Sequence, residues 1–303
     1  MRILVGTASW TDKTLIDCGR FYPPDCKSPE DRLRYYASKF PIVELDSSFY
    51  ALPSHANAER WAERTPDGFV MNVKAFRALT THQTPHKALP RDLQAQVKPG
   101  ARGNVYLKDM PGEVVDELWR RYLFALQPLA EAGRLGALHF QFPPWFVAKR
   151  EHYAYLDEVR ERLEGYTVAV EFRHRSWFTE DTTDAVLEFH RERRFVNVVV
   201  DEPQGPSNTI PAVWAVTNPD LAIVRLHGRN HATWNIRDAT SASDRFDYDY
   251  STAELEQLAL PIRELAAEAR TTHVLFNNNR EDQGQRNALS LMDLLPGIDP
   301  PAG

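Results

Sequence analysis

Cysteine is scarce in this chain, and long apolar runs are absent. The two cysteines, Cys18 and Cys26, lie among polar residues. Such scarcity argues against an extracellular fold built on disulfides, and we expect both thiols to be reduced. No apolar run approaches the ~18 residues that a membrane-spanning helix needs, and the one at the N-terminus is too short for a signal peptide. We therefore predict a cytoplasmic protein without membrane contacts.

The sequence also lacks an excess of positive charge. Its formal net charge is -6 at pH 7, which argues against a broad basic surface that grips nucleic acid nonspecifically. A local basic pocket is compatible with this total. The 303 residues, of which 43% are hydrophobic and 26% charged, suffice for one large α/β barrel or for two ordinary domains.

Three common motifs are missing. The first predicted strand runs into Gly6-Thr7-Ala8-Ser9, which is not the glycine-rich phosphate fingerprint of a doubly wound sheet. No Gly-x-Ser-x-Gly elbow and no His-Glu-x-x-His pair is present. These absences disfavour an open doubly wound sheet, which is the alternative fold, and they disfavour a serine nucleophile or a metal site of that spacing.

Short β-branched runs alternate with longer amphipathic runs along the chain. The predicted strands are Ile3–Thr7, Ile42–Asp46, Phe69–Lys74, Ala137–Phe142, Thr167–Arg173, Phe195–Asp201, Ala222–His227 and Thr272–Asn277. The predicted helices are Pro29–Phe40, Ala56–Arg64, Glu113–Ala132, Arg150–Leu163, Thr182–Arg193, Thr252–Arg270 and Gln283–Leu295. This order predicts an α/β fold, a parallel sheet closed into a single (β/α)8 TIM barrel. We expect one domain over 1–303, with a long loop insertion at 77–112 after the third strand and a flexible tail at 296–303.

The fifth predicted strand points most directly to a functional site. Successive side chains of a strand face opposite sides, so Phe172 packs on one face while Glu171 and Arg173 occupy the other. In a barrel one face points into the lumen, and chemistry gathers at the carboxyl ends of the strands. The same reasoning places further polar groups at this end of the lumen: Glu44, Asp46, Asn72, Lys74, His139, Gln141, Asn197, Asp201, Arg225, His227 and Asn277.

This polar cluster predicts a pocket, because burying each unpaired charge costs several kcal/mol. The cations suited to a phosphate, sulfate or carboxylate are Lys74, Arg173, Arg225 and Arg229. The predicted acids and bases are Glu171, Asp201 and His227, and the predicted ligand-binding amides are Gln141 and Asn277. Convergent carboxylates and histidines also allow a divalent metal. The competing interpretation is an internal ion pair of Glu171 with an arginine, beside a core histidine at position 139.

Aromatic residues lie near the same strand ends. They are Trp10, Phe49, Tyr50, Trp145, Trp177 and Trp234. One interpretation is lid packing over a wide barrel, and the other is stacking on a sugar or a base. We predict that Trp10, Tyr50 and Trp177 contact the substrate.

The sequence resembles the YecE-like family (domain of unknown function 72), whose members look like TIM barrels. The similarity spans nearly the whole chain, and its most specific parts are Glu171-Phe172-Arg173-His174, Arg225-Leu226-His227-Gly228-Arg229 and Phe276-Asn277-Asn278. The chain departs from the family pattern before Trp10, where Ala8-Ser9 replaces the usual Ser-Gly. The resemblance implies a TIM barrel but no settled reaction. At the level of fold alone, it suggests nucleic-acid or sugar-phosphate ligands.

Three functions are compatible with these residues. An enzyme, either a hydrolase or an isomerase, would bind a small anionic ligand such as a phosphorylated sugar and use Glu171 as general acid or base. A phosphodiesterase acting on nucleic acid would need a metal held by carboxylates and histidines. A non-catalytic protein would sense a nucleotide or a sugar through the same pocket. We favour the first function, while the substrate and the oligomeric state stay open.

Overall fold

Eight parallel strands close into a barrel in the computed structural model, which describes residues 2–205, 208–235, 242–295 and 298. The strands are β1 (Arg2–Ala8), β2 (Ile42–Leu45), β3 (Val70–Lys74), β4 (Leu135–Gln141), β5 (Val168–Glu171), β6 (Val196–Asp201), β7 (Leu221–Leu226) and β8 (Thr271–Phe276). Each strand pairs with the next in chain order, and β8 pairs with β1 to complete the ring. The predicted TIM barrel is confirmed. Of the predicted flexible tail at 296–303, all but residue 298 lies outside the described residues.

Seven helices of at least nine residues surround the barrel in the described part of the chain. They are α1 (Pro29–Ala37), α2 (His55–Glu63), α3 (Gly112–Glu131), α4 (Arg150–Arg162), α5 (Thr183–Glu192), α6 (Thr252–Glu268) and α7 (Gln283–Leu294). Ser28 begins α1 with a capping box, because its hydroxyl accepts from Asp31 N while the Asp31 carboxylate accepts from Ser28 N. None of the described helices is long and apolar enough to span a membrane.

Two layers of side chains are separated by the strands. Those on the outer face of the barrel pack against the helices, as Phe172 does, and those on the inner face fill the lumen. Gly6 is required where β1 lies against β2, because a Cβ at this position would stand 2.0 Å from the carbonyl oxygen of Ile42. Because successive side chains of a strand face opposite sides, Glu171 lies in the lumen and Phe172 lies in the layer between the strands and the helices.

The segment between β3 and α3 has structure of its own. Thr84–Pro85 pairs antiparallel with Asn104–Val105, and a short helix covers Arg91–Gln94. Apolar side chains of the segment are buried and join the main core: Leu79, Leu89, Leu93, Val97, Val105, Leu107 and Met110. The predicted insertion at 77–112 is therefore a packed unit that follows the end of β3, so side chains early in it lie beside the mouth of the barrel.

Candidate functional site

Ion pairs run in an unbroken chain through the upper lumen. In order, the members are Glu44, Arg225, Glu171, Arg173 and Glu202. Each of the four contacts joins a guanidinium nitrogen to a carboxylate oxygen at 2.6 Å. β2, β5 and β7 supply the first three members, which meet because parallel strands end on the same side of the barrel. Arg225 is 0% exposed, so both of its carboxylate partners are held away from solvent.

Two histidines brace this chain. His139 lies between two carboxylates, with Nδ1 3.1 Å from Glu44 Oε2 and Nε2 3.1 Å from Glu171 Oε2. His227 accepts from Arg173 Nη2 through Nε2 at 2.9 Å, because an arginine only donates. A neutral His227 therefore carries its proton on Nδ1, which lies 2.8 Å from the position of the Asn277 amide nitrogen. Because that nitrogen only donates, this tautomer requires the Asn277 amide to be turned so that its oxygen faces the ring. Neither ring has a nitrogen left to contact a ligand.

The carboxylates of the chain differ in their electrostatics. Burial alone would raise the pKa of Glu44, but Arg225 and His139 outweigh it and hold that pKa below its usual range. Burial would also raise the pKa of Glu171. The positive charges of Arg173 and Arg225 outweigh burial and keep this pKa well below its usual range. Burial dominates at Glu202 and raises its pKa to about 7, although Arg173 and the Ile210 N–H act in the opposite direction. Glu171 is thus ionised, whereas Glu202 titrates near neutrality.

A second group of side chains surrounds Phe49 at the mouth of the barrel. Lys74 Nζ lies 4.9 Å and the Arg77 guanidinium carbon 5.3 Å from the centre of the Phe49 ring. The His82 ring meets Phe49 edge-on at 4.9 Å. Burial and then the charges of Lys74, Arg77 and Arg173 lower the pKa of His82 to about 3. We call Phe49, Lys74, Arg77 and His82 the mouth cluster.

The mouth cluster is only partly neutralised. Lys74 Nζ lies 2.7 Å from Asp46 Oδ1, whereas Arg77 has no carboxylate partner among the residues that the structure describes. Arg77 donates from Nη2 to the Gln83 carbonyl at 2.6 Å. Tyr50, which is 49% exposed, stands next to this cluster and meets Phe49 edge-on. The mouth therefore offers positive charge and an exposed aromatic surface together.

Asp201 lies apart from Glu171 in a contact of its own. Both of its oxygens accept from Arg229 Nε, at 3.0 and 2.9 Å, and Oδ2 also accepts from the Tyr250 hydroxyl at 2.6 Å. Arg229 lies 3.5 Å from Glu254 as well. Asp201 and Arg229 thus hold each other, and this pair joins the loop after β7 to the end of β6.

The structure brings most of the predicted site residues to one end of the barrel. Those in or next to the ion-pair chain are Gln141, Glu171, Arg173, Arg225, His227 and Asn277, and those at the mouth are Lys74 and Tyr50. Gln141 makes long contacts, since its Oε1 is 3.4 Å from Arg173 Nη2. Trp10 is 6% exposed and packs edge-on against Trp61, so it offers a ligand little surface.

The predicted substrate contact of Trp177 is wrong. This side chain is 0% exposed and stacks on Phe172 at 3.9 Å, on the outer face of β5. Its Nε1 donates to the Phe146 carbonyl at 2.6 Å. The residue lies just past the charged end of β5 in sequence, but the short helical turn at 175–177 returns it to the layer beneath the helices.

Sequence reasoning missed Glu202, Arg77 and His82. Strict alternation after Asp201 would turn Glu202 outward, but the strand ends there and the loop brings this carboxylate to Arg173. Arg77 and His82 lie in the segment 77–112, which the sequence predicts to be a loop insertion. Their position directly after β3 is the signal that could have found them, because the loops that follow barrel strands carry active sites.

The polar groups of the lumen fit one another better than they fit a metal. Glu44 and Glu171 already contact Arg225 and His139, and Asp201 contacts Arg229. Within the described residues, no group of three or more histidine, cysteine, aspartate or glutamate side chains is arranged to hold a metal ion. The cysteine thiols of Cys18 and Cys26 are free.

Comparison with known proteins places the chain in a family. Residues 4–301 match the family model described as protein of unknown function DUF72. The chain is 33% identical over 295 residues to the UPF0759 protein YunF of Bacillus subtilis (strain 168), and the match covers 97% of this chain and 94% of that protein.

Solved structures agree with this match. A DUF72 family protein from Enterococcus faecalis V583 has a TM-score of 0.78 and 29% identity, covering 97% of this chain and 95% of its own. Another from Thermotoga maritima MSB8 has a TM-score of 0.75 and 30% identity, covering 97% and 99%. The resemblance to the YecE-like family is confirmed, and the chain belongs to the DUF72 family.

Proposed function

We propose that the mouth of this barrel binds a small anionic ligand, such as a phosphate ester or a phosphorylated sugar, and performs acid–base chemistry on it. The observation that carries the proposal is the positive charge of the mouth cluster. Lys74 and Arg77 converge on Phe49, and only Lys74 has a carboxylate neighbour in the described part of the chain. A half-buried guanidinium without a counter-charge favours an anion, and its planar donors match a phosphate or carboxylate.

The ion-pair chain has a supporting part in this proposal. Arg173 is 9% exposed at its side chain and is held between two carboxylates, and its positive charge helps to lower the pKa of His82 in the mouth cluster. Glu171 is ionised and can therefore accept a proton, but its lowered pKa and the two guanidiniums that hold its oxygens make it a weak base as it stands. Glu202, with its pKa of about 7, is the group best matched to exchange a proton at neutral pH. Ligand entry would have to displace part of this network before either carboxylate could act.

The ion-pair chain also favours a second candidate function, a non-catalytic binding protein, because its charged groups already contact one another. In that case Glu171 and Arg225 order the barrel, and the mouth cluster alone holds the ligand. A metal-dependent phosphodiesterase has less support, because the carboxylates that would bind the metal contact arginines and a histidine. Broad binding of nucleic acid is disfavoured by the net charge of -6.

A thermal-shift screen tests the proposal directly. Inorganic phosphate, sugar phosphates, nucleotides, short oligonucleotides and divalent metals are each added to the wild type, to Lys74→Gln and to Lys98→Gln. Lys98 is exposed and lies in the distant part of the segment between β3 and α3, so it serves as a matched control for the loss of one charge. We expect a phosphate compound to stabilise the wild type and Lys98→Gln, and to bind Lys74→Gln about tenfold more weakly.

Conversion of the bound compound separates the two candidates. Phosphorus NMR follows the ligand in the presence of the wild type and of Glu171→Gln. Turnover that disappears in Glu171→Gln, while binding persists, supports the enzyme, and unchanged turnover in that variant removes Glu171 from the mechanism. Binding without conversion favours the non-catalytic candidate. If no anion stabilises the wild type, the proposal is wrong.

A further inference from the structure

The turn that follows β3 is held rigidly against the mouth. Arg77 N donates to the Phe49 carbonyl at 3.0 Å, and His82 N donates back to the Arg77 carbonyl at 3.0 Å. At the centre of this turn, Thr81 has φ 63°. A β-branched residue in the left-handed region is strained, and such strain persists only where the surroundings impose it. This strained turn holds the His82 ring edge-on against Phe49.

The hydrogen bonds of Thr80 determine which nitrogen of His82 carries a proton. Thr80 Oγ1 lies 3.1 Å from the Arg77 carbonyl, which can only accept, and we assign the single hydroxyl proton to this contact. The same oxygen lies 2.8 Å from His82 Nδ1. A contact between them then requires Nδ1 to donate, so a neutral ring leaves Nε2 as a bare acceptor.

His82 Nε2 has no hydrogen-bond partner among the residues that the structure describes. Burial and the three neighbouring cations keep the ring neutral, since they lower its pKa to about 3. The ring therefore adds no charge for an anion to bind. It instead presents a lone pair next to Lys74 and Arg77, which are the groups that would hold the anion.

We propose that His82 Nε2 is a specificity-determining acceptor, and that the ligand carries a hydroxyl beside its anionic group. This inference rests on the proposed function and adds to it. Lys74 and Arg77 select the anion, while His82 selects a neighbouring O–H donor. Thr80 is a positioning residue that fixes the ring and its tautomer. Phosphorylated polyols and sugars have both features, whereas simple alkyl phosphates have only the first.

Two probes of equal charge separate these contributions. The affinities of glycerol 3-phosphate and of n-propyl phosphate are measured by calorimetry for the wild type, His82→Phe, His82→Gln and Thr80→Val. Phenylalanine keeps the edge-on contact with Phe49, and glutamine keeps an acceptor near the place of Nε2. We expect the wild type to prefer glycerol 3-phosphate by roughly 3- to 10-fold, which corresponds to one hydrogen bond. His82→Phe loses the preference, His82→Gln retains part of it, and Thr80→Val weakens it.

Nitrogen-15 NMR of the ligand-free protein reports the tautomer without any ligand. We expect a protonated Nδ1 and a bare Nε2 for His82, and the opposite tautomer overturns the inference. Equal affinities for the two probes, with binding that still depends on Lys74, overturn it while leaving the proposed function intact. Absence of binding by both probes and by inorganic phosphate removes the proposed function together with the inference. Melting curves confirm that each variant is folded.

Discussion

Replacing Glu202 by glutamine should change how the stability of this protein depends on pH. Burial raises the pKa of this carboxyl from 4.5 to about 7 in the folded protein. The folded state therefore holds the proton more tightly than the unfolded state, so the contribution of Glu202 to stability is fully present below about pH 4.5 and is lost as the pH rises through about 7. A rise from 4.5 to about 7 corresponds to at most about 3–4 kcal/mol, because each pKa unit is worth ~1.4 kcal/mol.

Glutamine cannot ionise, and it keeps an oxygen for the Ile210 N–H that Glu202 binds at 2.8 Å. Relative to the wild type, Glu202→Gln should thus gain about 2–3 kcal/mol in unfolding free energy between pH 5 and pH 8, whatever its offset at pH 5. Urea denaturation followed by circular dichroism at four pH values measures this difference. Glu161→Gln, on the exposed side of α4, is the matched control and should follow the wild type. Parallel curves for the wild type and Glu202→Gln would refute the reasoning.

Three further predictions concern the parts around the site. Arg225→Met should lower the unfolding free energy by about 3–5 kcal/mol at pH 8, because Glu44 loses its guanidinium partner and Glu171 keeps only Arg173. Urea denaturation should show a smaller loss at pH 5, where those carboxylates can take up protons, and a loss that is the same at both pH values contradicts this. Thr81→Gly should raise the melting temperature by relieving a positive φ worth ~1–2 kcal/mol, whereas Thr183→Gly in α5 should lower it. Trp177→Phe should reduce stability by about 1–3 kcal/mol through lost packing and its bond to the Phe146 carbonyl; an accompanying change in phosphate affinity would show that the indole does reach the mouth.

The charged lumen was predictable because strand alternation is a local property. Glu44, Glu171 and Arg225 each stand between apolar neighbours in a short strand, so their common orientation follows from the period of two. The sequence also allowed Glu171 and an arginine to be an internal ion pair, and the geometry extends that interpretation to a continuous chain. Which carboxylate each arginine contacts depends on the register between strands, which no single strand contains.

The parts that could not be predicted lie where the chain leaves regular structure. Glu202 follows β6 by one residue, and its orientation is decided by a loop. His82 depends on a strained turn, and Thr81 gives no warning of its positive φ because β-branched residues rarely adopt it. Trp177 was misplaced for the same reason, since a single helical turn after β5 reverses the direction that alternation would give.

The ion-pair chain across the lumen has a consequence for how the family can diverge. A change at Glu44, Arg225 or Glu171 alone leaves a buried charge with one partner fewer, so we expect substitutions at these positions to occur together. Tyr50 is exposed at the mouth, so it can be substituted without a compensating change elsewhere. We expect relatives that bind different ligands to share the ion-pair chain and to differ in the residues around the mouth of the barrel.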